Sequence, residues 1–230
     1  AVQYSRYSRL MSRLFDINPR GDYFSDAHHD FRRSVRQFVE REIAPHANDW
    51  DEAGSFPREL YRKAADIGLI GVGYPEEYGG TPADLFYTIV YAEELARAWM
   101  SVASIIARGN GLSAGRGMTD AQRAVFLPRA ARGEFLGAAA MSEPNVGSDL
   151  GSIACRARRD GDDWVINGNK YWCTFADGAD YIMLVARTSD APDPQRKHVG
   201  LSSFLIEKPR GTLPKGVNGA PIPKIGYFGW

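Results

Sequence analysis

A chain of 230 residues, 44% hydrophobic and 24% charged, fits an ordinary globular protein of one large or two smaller domains. Lys plus Arg and Asp plus Glu both number 28, so no net charge favours nucleic acid or a membrane surface, and no apolar run reaches the length of a membrane span. The two cysteines, Cys155 and Cys173, have no CxxC spacing and no His cluster beside them, which speaks against a disulfide framework and a zinc site. A reducing compartment is therefore expected, a bacterial cytoplasm ahead of a mitochondrial matrix.

In the first fifteen residues Arg6, Arg9 and Arg13 stand among serines with no acid, the composition of an organelle transit sequence. Tyr4, Tyr7, Leu10, Leu14 and Phe15 favour instead a basic arm anchored on the surface. Asp26 is placed to cap a first helix, on which Phe31, Val35, Phe38, Val39 and Ile43 recur at helical spacing before Pro45. A second helix is predicted from Pro57 to Gly68. Residues 69–80 hold Pro75, Gly79 and Gly80 and read as a loop. Thr81-Pro82 opens a third helix with Leu85, Ile89 and Leu95 on its core stripe. A fourth, weakened by Gly109 and Gly111, covers about 101–113. Thr119 and Gln122 have capping-box spacing for a fifth, which Pro128 is expected to kink or end.

The character changes at Gly133. Residues 135–141 form a short apolar run, and Ile153, Cys155 and Ala157 alternate with polar neighbours as a strand does. Asp160-Gly161 marks a hairpin turn to a strand holding Trp164 and Ile166, and Asn167-Gly168 marks another. Further strands are predicted over 170–174, 181–186 and 199–206. The expected fold class is α+β: an all-α domain over 1–134, then an antiparallel β-barrel over 135–230.

Between the apolar run and the first long strand lies Met141-Ser142-Glu143-Pro144-Asn145-Val146-Gly147-Ser148-Asp149. A turn of this composition aims backbone N–H groups and hydroxyls at one spot, as holding an anion or a ring with acceptor atoms requires. Gly147 lets a ligand approach the backbone, and Ser148 adds a donor. From the residues alone, a surface hairpin loop remains the alternative. Glu143, beside Pro144, reads as fixing the turn, and Asp149 as capping local backbone N–H groups. His28, His29, His46 and His198 form no constellation and read as surface or packing residues. Arg156, Arg158 and Arg159 suit a solvated strand edge better than a phosphate site.

The chain resembles the acyl-CoA dehydrogenase family. The matching residues are Pro75-Glu76-Glu77-Tyr78-Gly79-Gly80, Ser142-Glu143-Pro144 and Gly147-Ser148-Asp149, followed by Asp160-Gly161, Trp164-Val165-Ile166-Asn167-Gly168, Asn169-Lys170 and Trp172-Cys173-Thr174. Their order and spacing carry the resemblance. It implies a helical domain, a β-barrel and a further C-terminal helical domain, with FAD as cofactor. By the family's pattern, Met141 and Ser142 would meet the pyrimidine edge of the flavin. Gly147 and Ser148 would meet the pyrophosphate, with Ser148 also on the CoA side of the substrate. Trp172 would pack on the ring, Cys173 would touch it through its backbone, and Thr174 would stand near N5. Taken alone, Trp172 reads rather as a barrel-core aromatic, and Thr174 as an ordinary strand residue. Ser142 stands where the family often has Thr, keeping the hydroxyl, and Ala139 stands where it often has an aromatic, leaving room beside the flavin.

The implied reaction is α,β-dehydrogenation of an acyl-CoA thioester, with an electron-transfer flavoprotein-type acceptor and a homo-oligomeric enzyme. The family's catalytic Glu comes from the C-terminal helical domain, so no catalytic residue is expected in this chain, which is expected to be an incomplete piece ending at Phe228-Gly229-Trp230. The rivals are an acyl-CoA oxidase or flavin monooxygenase on the same fold, or a non-catalytic binding subunit.

Overall fold

Ser25, not Asp26, caps the first helix, α1 (Asp26–Glu42). The Ser25 backbone N–H donates to His28 Nδ1 at 2.9 Å, and Asp26 sits in the first turn, where a carboxylate suits the helix dipole. The computed structural model describes residues 23–103, 109–112 and 115–220. The basic N-terminal arm, residues 104–108 and 113 of the predicted fourth helix, and residues 228–230 lie outside the described residues. Val35, Phe38, Val39 and Ile43 are buried as their spacing implies, against Leu60, Tyr61 and Ala64 of α3 (Glu59–Asp66). Between them is a short helix that the sequence reading lacked, α2 (Ala47–Ala53), ending at Gly54 in a left-handed conformation with φ 66°.

Helix α4 (Leu85–Ala98) starts later than expected, because Asp84 is its N-cap and accepts from the Phe86 N–H at 2.8 Å. Its buried face is Val90, Glu94 and Leu95. Leu85 is 72% exposed, so the expected core stripe is wrong at that end. In α5 (Asp120–Ala131) Thr119 and Gln122 form the capping box, with bonds of 2.9 and 3.2 Å. Pro128 sits in the last turn, and the helix ends three residues beyond it at Ala131, so the loss of its N–H bond to the Ala124 carbonyl falls at the end of the helix. Among the described residues, no helix is long and apolar enough to cross a membrane.

The second half is a five-stranded sheet of β1 (Gly137–Ala140), β2 (Arg156–Asp160), β3 (Asp163–Asn167), β4 (Tyr181–Arg187) and β5 (Leu201–Glu207). The β2–β3 and β4–β5 pairs are antiparallel, as tight turns and short returns require. β1 runs parallel to β4 from Gly137↔Tyr181 to Ala140↔Leu184, and β2 meets β4 in parallel at Arg156↔Arg187. The long connections before β4 make those parallel pairs possible, so the sheet is mixed where an antiparallel one was expected. The strand expected over 170–174 does not form. Trp172 and Phe175 have φ of 58° and 69°, and the chain turns there through Thr174 N–H to Trp172 O (2.8 Å) and Ala176 N–H to Cys173 O (3.0 Å). Left-handed backbone cannot continue a ladder.

Helices and sheet share their cores. Leu136 belongs to the α1–α3 cluster, while Phe135 stacks on Tyr181 at 4.5 Å in a cluster with Tyr74 and Leu127. Asp180 clamps the junction: it accepts from Leu136 N–H (2.8 Å) and Arg210 Nε (2.5 Å) and pairs with Arg58. A Cβ on Gly137 would lie 2.3 Å from Cζ of the buried Tyr181 ring. Gly137→Ala is therefore expected to lower stability by about 1–3 kcal/mol through overpacking. Gly147→Ala, where a Cβ meets nothing within 4 Å, should leave the urea midpoint in place. Equal midpoints for both variants would contradict this account of β1.

Candidate functional site

Along β1 the side chains alternate: Ala138 and Ala140 are buried, Ala139 and Met141 exposed. The chain then leaves the sheet and closes a turn, with Glu143 N–H to Val146 O at 2.9 Å and Val146 N–H to Glu143 O at 3.1 Å. The Glu143 side chain points inward. Its carboxylate accepts from the N–H groups of Ala154 (2.8 Å) and Cys155 (2.9 Å) and from Lys170 Nζ (2.9 Å). Burial pushes this carboxyl up, but those donors outweigh it and hold it below the usual carboxylate range. The turn-fixing role read for Glu143 is what the geometry shows. Asp149 differs from its reading: it bonds Ser152 Oγ (2.5 Å) and Lys197 Nζ (3.1 Å) rather than backbone N–H groups.

The 168–176 segment comes against this turn. Gly168 lies so close that a Cβ there would be 2.6 Å from that of Cys155. Lys170 Nζ donates to Met141 O at 3.0 Å, and Tyr171 N–H donates to Ser142 O at 2.9 Å. Trp172 follows, 63% exposed, so it is no core aromatic. Cys173 is half-buried, packed with Ala138 and Ala140, and burial raises its thiol pKa. Thr174 is exposed, with Oγ1 3.5 Å from Trp172 O.

The structure thus brings Met141 and Ser142 together with the 170–174 loop. Gly147 and Ser148 lie beyond the 143–146 turn, exposed, and no hydrogen bond joins them to that loop among the described residues. Among the described residues, the hydroxyls of Ser142 and Ser148 have no partner within the protein. No cluster of His, Cys, Asp and Glu among the described residues is placed to hold a metal ion.

Two cations went unassigned in the sequence reading. Lys170 stands in the sequence only as part of the Asn169-Lys170 motif. Arg187 ends the apolar strand β4, is buried, and donates to the carbonyls of Gly151 (2.6 Å), Lys197 (3.0 Å) and Ile153 (3.3 Å). The signal for it was a charge directly after an apolar run. Arg156 pairs with Asp190 at 2.9 Å, and Arg159 lies 6.0 Å from the Trp164 ring centre.

Residues 25–134 match the model of the acyl-CoA dehydrogenase N-terminal domain, and residues 138–229 match that of the acyl-CoA dehydrogenase middle domain. The chain belongs to the acyl-CoA dehydrogenase family. Among its relatives, (2S)-methylsuccinyl-CoA dehydrogenase of Cereibacter sphaeroides is 40% identical over 207 residues, 86% of this chain and 37% of that protein. Mitochondrial isovaleryl-CoA dehydrogenase of Oryza sativa subsp. japonica is 37% identical over 228 residues, 97% of this chain and 52% of that protein. The crystal structure of an acyl-CoA dehydrogenase from Geobacillus kaustophilus superposes with a TM-score of 0.71 at 35% identity, covering 81% of this chain and 49% of that one. A glutaryl-CoA dehydrogenase from Mycobacterium smegmatis, in complex with FADH2, superposes at 0.72 with 28% identity, covering 84% and 48%. The chain spans about half the length of most of these acyl-CoA dehydrogenases.

Proposed function

We propose that residues 1–134 and 135–230 are the helical and middle domains of an FAD-dependent enzyme that converts an acyl-CoA thioester to its 2-enoyl-CoA and passes the electrons to an electron-transfer flavoprotein-type acceptor. The observation that carries this is the exposed Trp172, held beside Ser142 by the Tyr171 N–H to Ser142 O bond. A bulky aromatic on left-handed backbone is an uncommon arrangement, and strain of this kind clusters at ligand sites. A flat aromatic face, unpartnered Ser142 and Ser148 hydroxyls and an open approach at Gly147 suit a flavin and its pyrophosphate. Bound FAD would supply the oxidant, accepting the β-hydrogen with its electron pair as hydride, while the pair of the Cα–H bond, its proton gone to a base, becomes the new Cα=Cβ π bond.

The chain's own residues bind and orient. Ser142 donates to the ring's acceptor edge, beside Met141, and Trp172 covers a ring face and excludes water. Thr174 offers a hydroxyl next to Trp172, Cys173 keeps its backbone on the site while its side chain packs inward, and Ala139 leaves space beside the ring. Gly147 admits the pyrophosphate, and Ser148, with one O–H and one backbone N–H to donate, stands between it and the CoA side of the substrate. No carboxylate of this site takes the α-proton: Glu143 is pinned by three donors and Asp149 by Ser152 and Lys197. The base belongs elsewhere in the working enzyme. Self-association of the whole protein and work in a bacterial cytoplasm complete the proposal.

The test is anaerobic titration of the flavin-loaded complete protein with acyl-CoA thioesters. Bleaching of the flavin's visible absorption, with slow reoxidation by oxygen, is the expected result. No bleaching with any acyl-CoA, or fast peroxide formation on admitting oxygen, would defeat the dehydrogenase reading, the second in favour of an oxidase.

A further inference from the structure

The Lys170–Glu143 pair is an unusual feature of a surface site. Both side chains are nearly inaccessible, 8% and 6% exposed, and they meet at 2.9 Å. Charges are rarely buried unless paired and hydrogen-bonded, since each loses its hydration. This pair stands where three segments converge: the exit of β1 through Met141 O, the entry to β2 through the Ala154 and Cys155 N–H groups, and the 168–172 loop itself. Gly168 packs on Cys155 and Tyr171 N–H bonds Ser142 O, so the loop is fixed on both sides of Lys170.

We propose that Lys170 and Glu143 are positioning residues of the flavin site, a mutually neutralising pair that registers Met141-Ser142 against Trp172 and sets the charge behind the ring edge. The inference rests on the flavin reading above. Lys170 reaches the site through one peptide, its ammonium bonded to Met141 O. The pair as a whole is neutral, so it adds little field. Loss of either partner leaves a net charge of known sign at the same place.

Three variants of the complete flavin-loaded protein separate the outcomes: Lys170→Met, Glu143→Gln and the double substitution, with FAD dissociation constants and flavin midpoint potentials measured at mildly alkaline pH. Lys170→Met leaves a carboxylate, which disfavours the more negative reduced flavin, so its potential should fall. Glu143→Gln leaves an ammonium, so its potential should rise. The double variant should return toward the parent. Lys170→Met should also loosen FAD about tenfold, the equivalent of ~1.4 kcal/mol. A merely structural pair would shift both single variants in the same direction or in neither, and that result overturns the proposal. Should Lys170→Met fail to fold, Glu143→Gln, which preserves shape, decides alone: a potential that falls or stays put is contrary. A parent that binds no FAD overturns the flavin reading as well, whereas a parent that binds FAD with an unmoved Glu143→Gln potential overturns this inference only.

Discussion

Glu94→Gln is expected to destabilise the fold by about 3–5 kcal/mol, the cost of removing one partner from a buried charge network. Glu94 on α4 is fully buried. Its Oε1 accepts from Arg32 Nη1 (3.1 Å) and Arg36 Nη2 (3.0 Å), and its Oε2 from Arg36 Nε (3.0 Å) and Arg97 Nη1 (2.7 Å). Without that carboxylate, three guanidinium groups face one another across the α1–α4 contact. Glu93 then offers the nearest acid, at 2.7 Å from Arg32. Burial pushes the Glu94 carboxyl up, but the bonds from Arg36 and Arg97 outweigh it and hold it below the ordinary value. A depressed carboxylate contributes stability that is fully present above its unfolded pKa and lost as pH falls through the folded one. Parent and variant should therefore differ most near neutral pH and converge in acid. Urea midpoints taken from neutral to acid pH check both points, and curves that stay parallel would show that Glu94 is not the titrating anchor.

Trp172→Ala should do the opposite: weaken FAD binding strongly while stability stays within about 0.5 kcal/mol, as for an exposed position. Covering on the order of 100 Å2 of its exposed face, at about 25 cal/mol per Å2, is worth ~2.5 kcal/mol, or roughly a factor of 70 in the dissociation constant. FAD titration and urea unfolding of the same preparation check it. A large loss of stability with unchanged FAD affinity would make Trp172 a packing residue after all.

The contrast between these two residues shows what could be read beforehand. Local signals were legible: the α1 stripe of Val35, Phe38 and Val39, the Thr119–Gln122 capping box, and the turn after Asp160. Features set by tertiary contacts were not. Helix α2 has no apolar stripe; Trp50, packed near Phe56 and Trp99, holds it. The stripe through Leu85 misled because the inward face of α4 includes a charge, Glu94, that arginines from elsewhere make tolerable. The β-prone run Tyr171-Trp172-Cys173-Thr174 imitates a strand, while hydrogen bonds from Lys170 and Tyr171 to Met141 and Ser142 impose a loop. The parallel β1–β4 pair depends on a crossover no local pattern encodes. In the site, Ser142 and Trp172 were marked by the family's motif, and Glu143 by its place beside Pro144. Lys170 carried no sign beyond its place in that motif, because its partners are brought to it only by the fold.

The FAD content of the complete protein, read from its visible absorption after reconstitution with excess FAD and removal of the unbound cofactor, decides whether this face holds a flavin. A single equivalent per chain, lost or much weakened in Trp172→Ala, is the predicted result. A well-folded parent that retains no flavin would contradict it and return the exposed face around Met141, Ser142 and Trp172 to a surface of unassigned role.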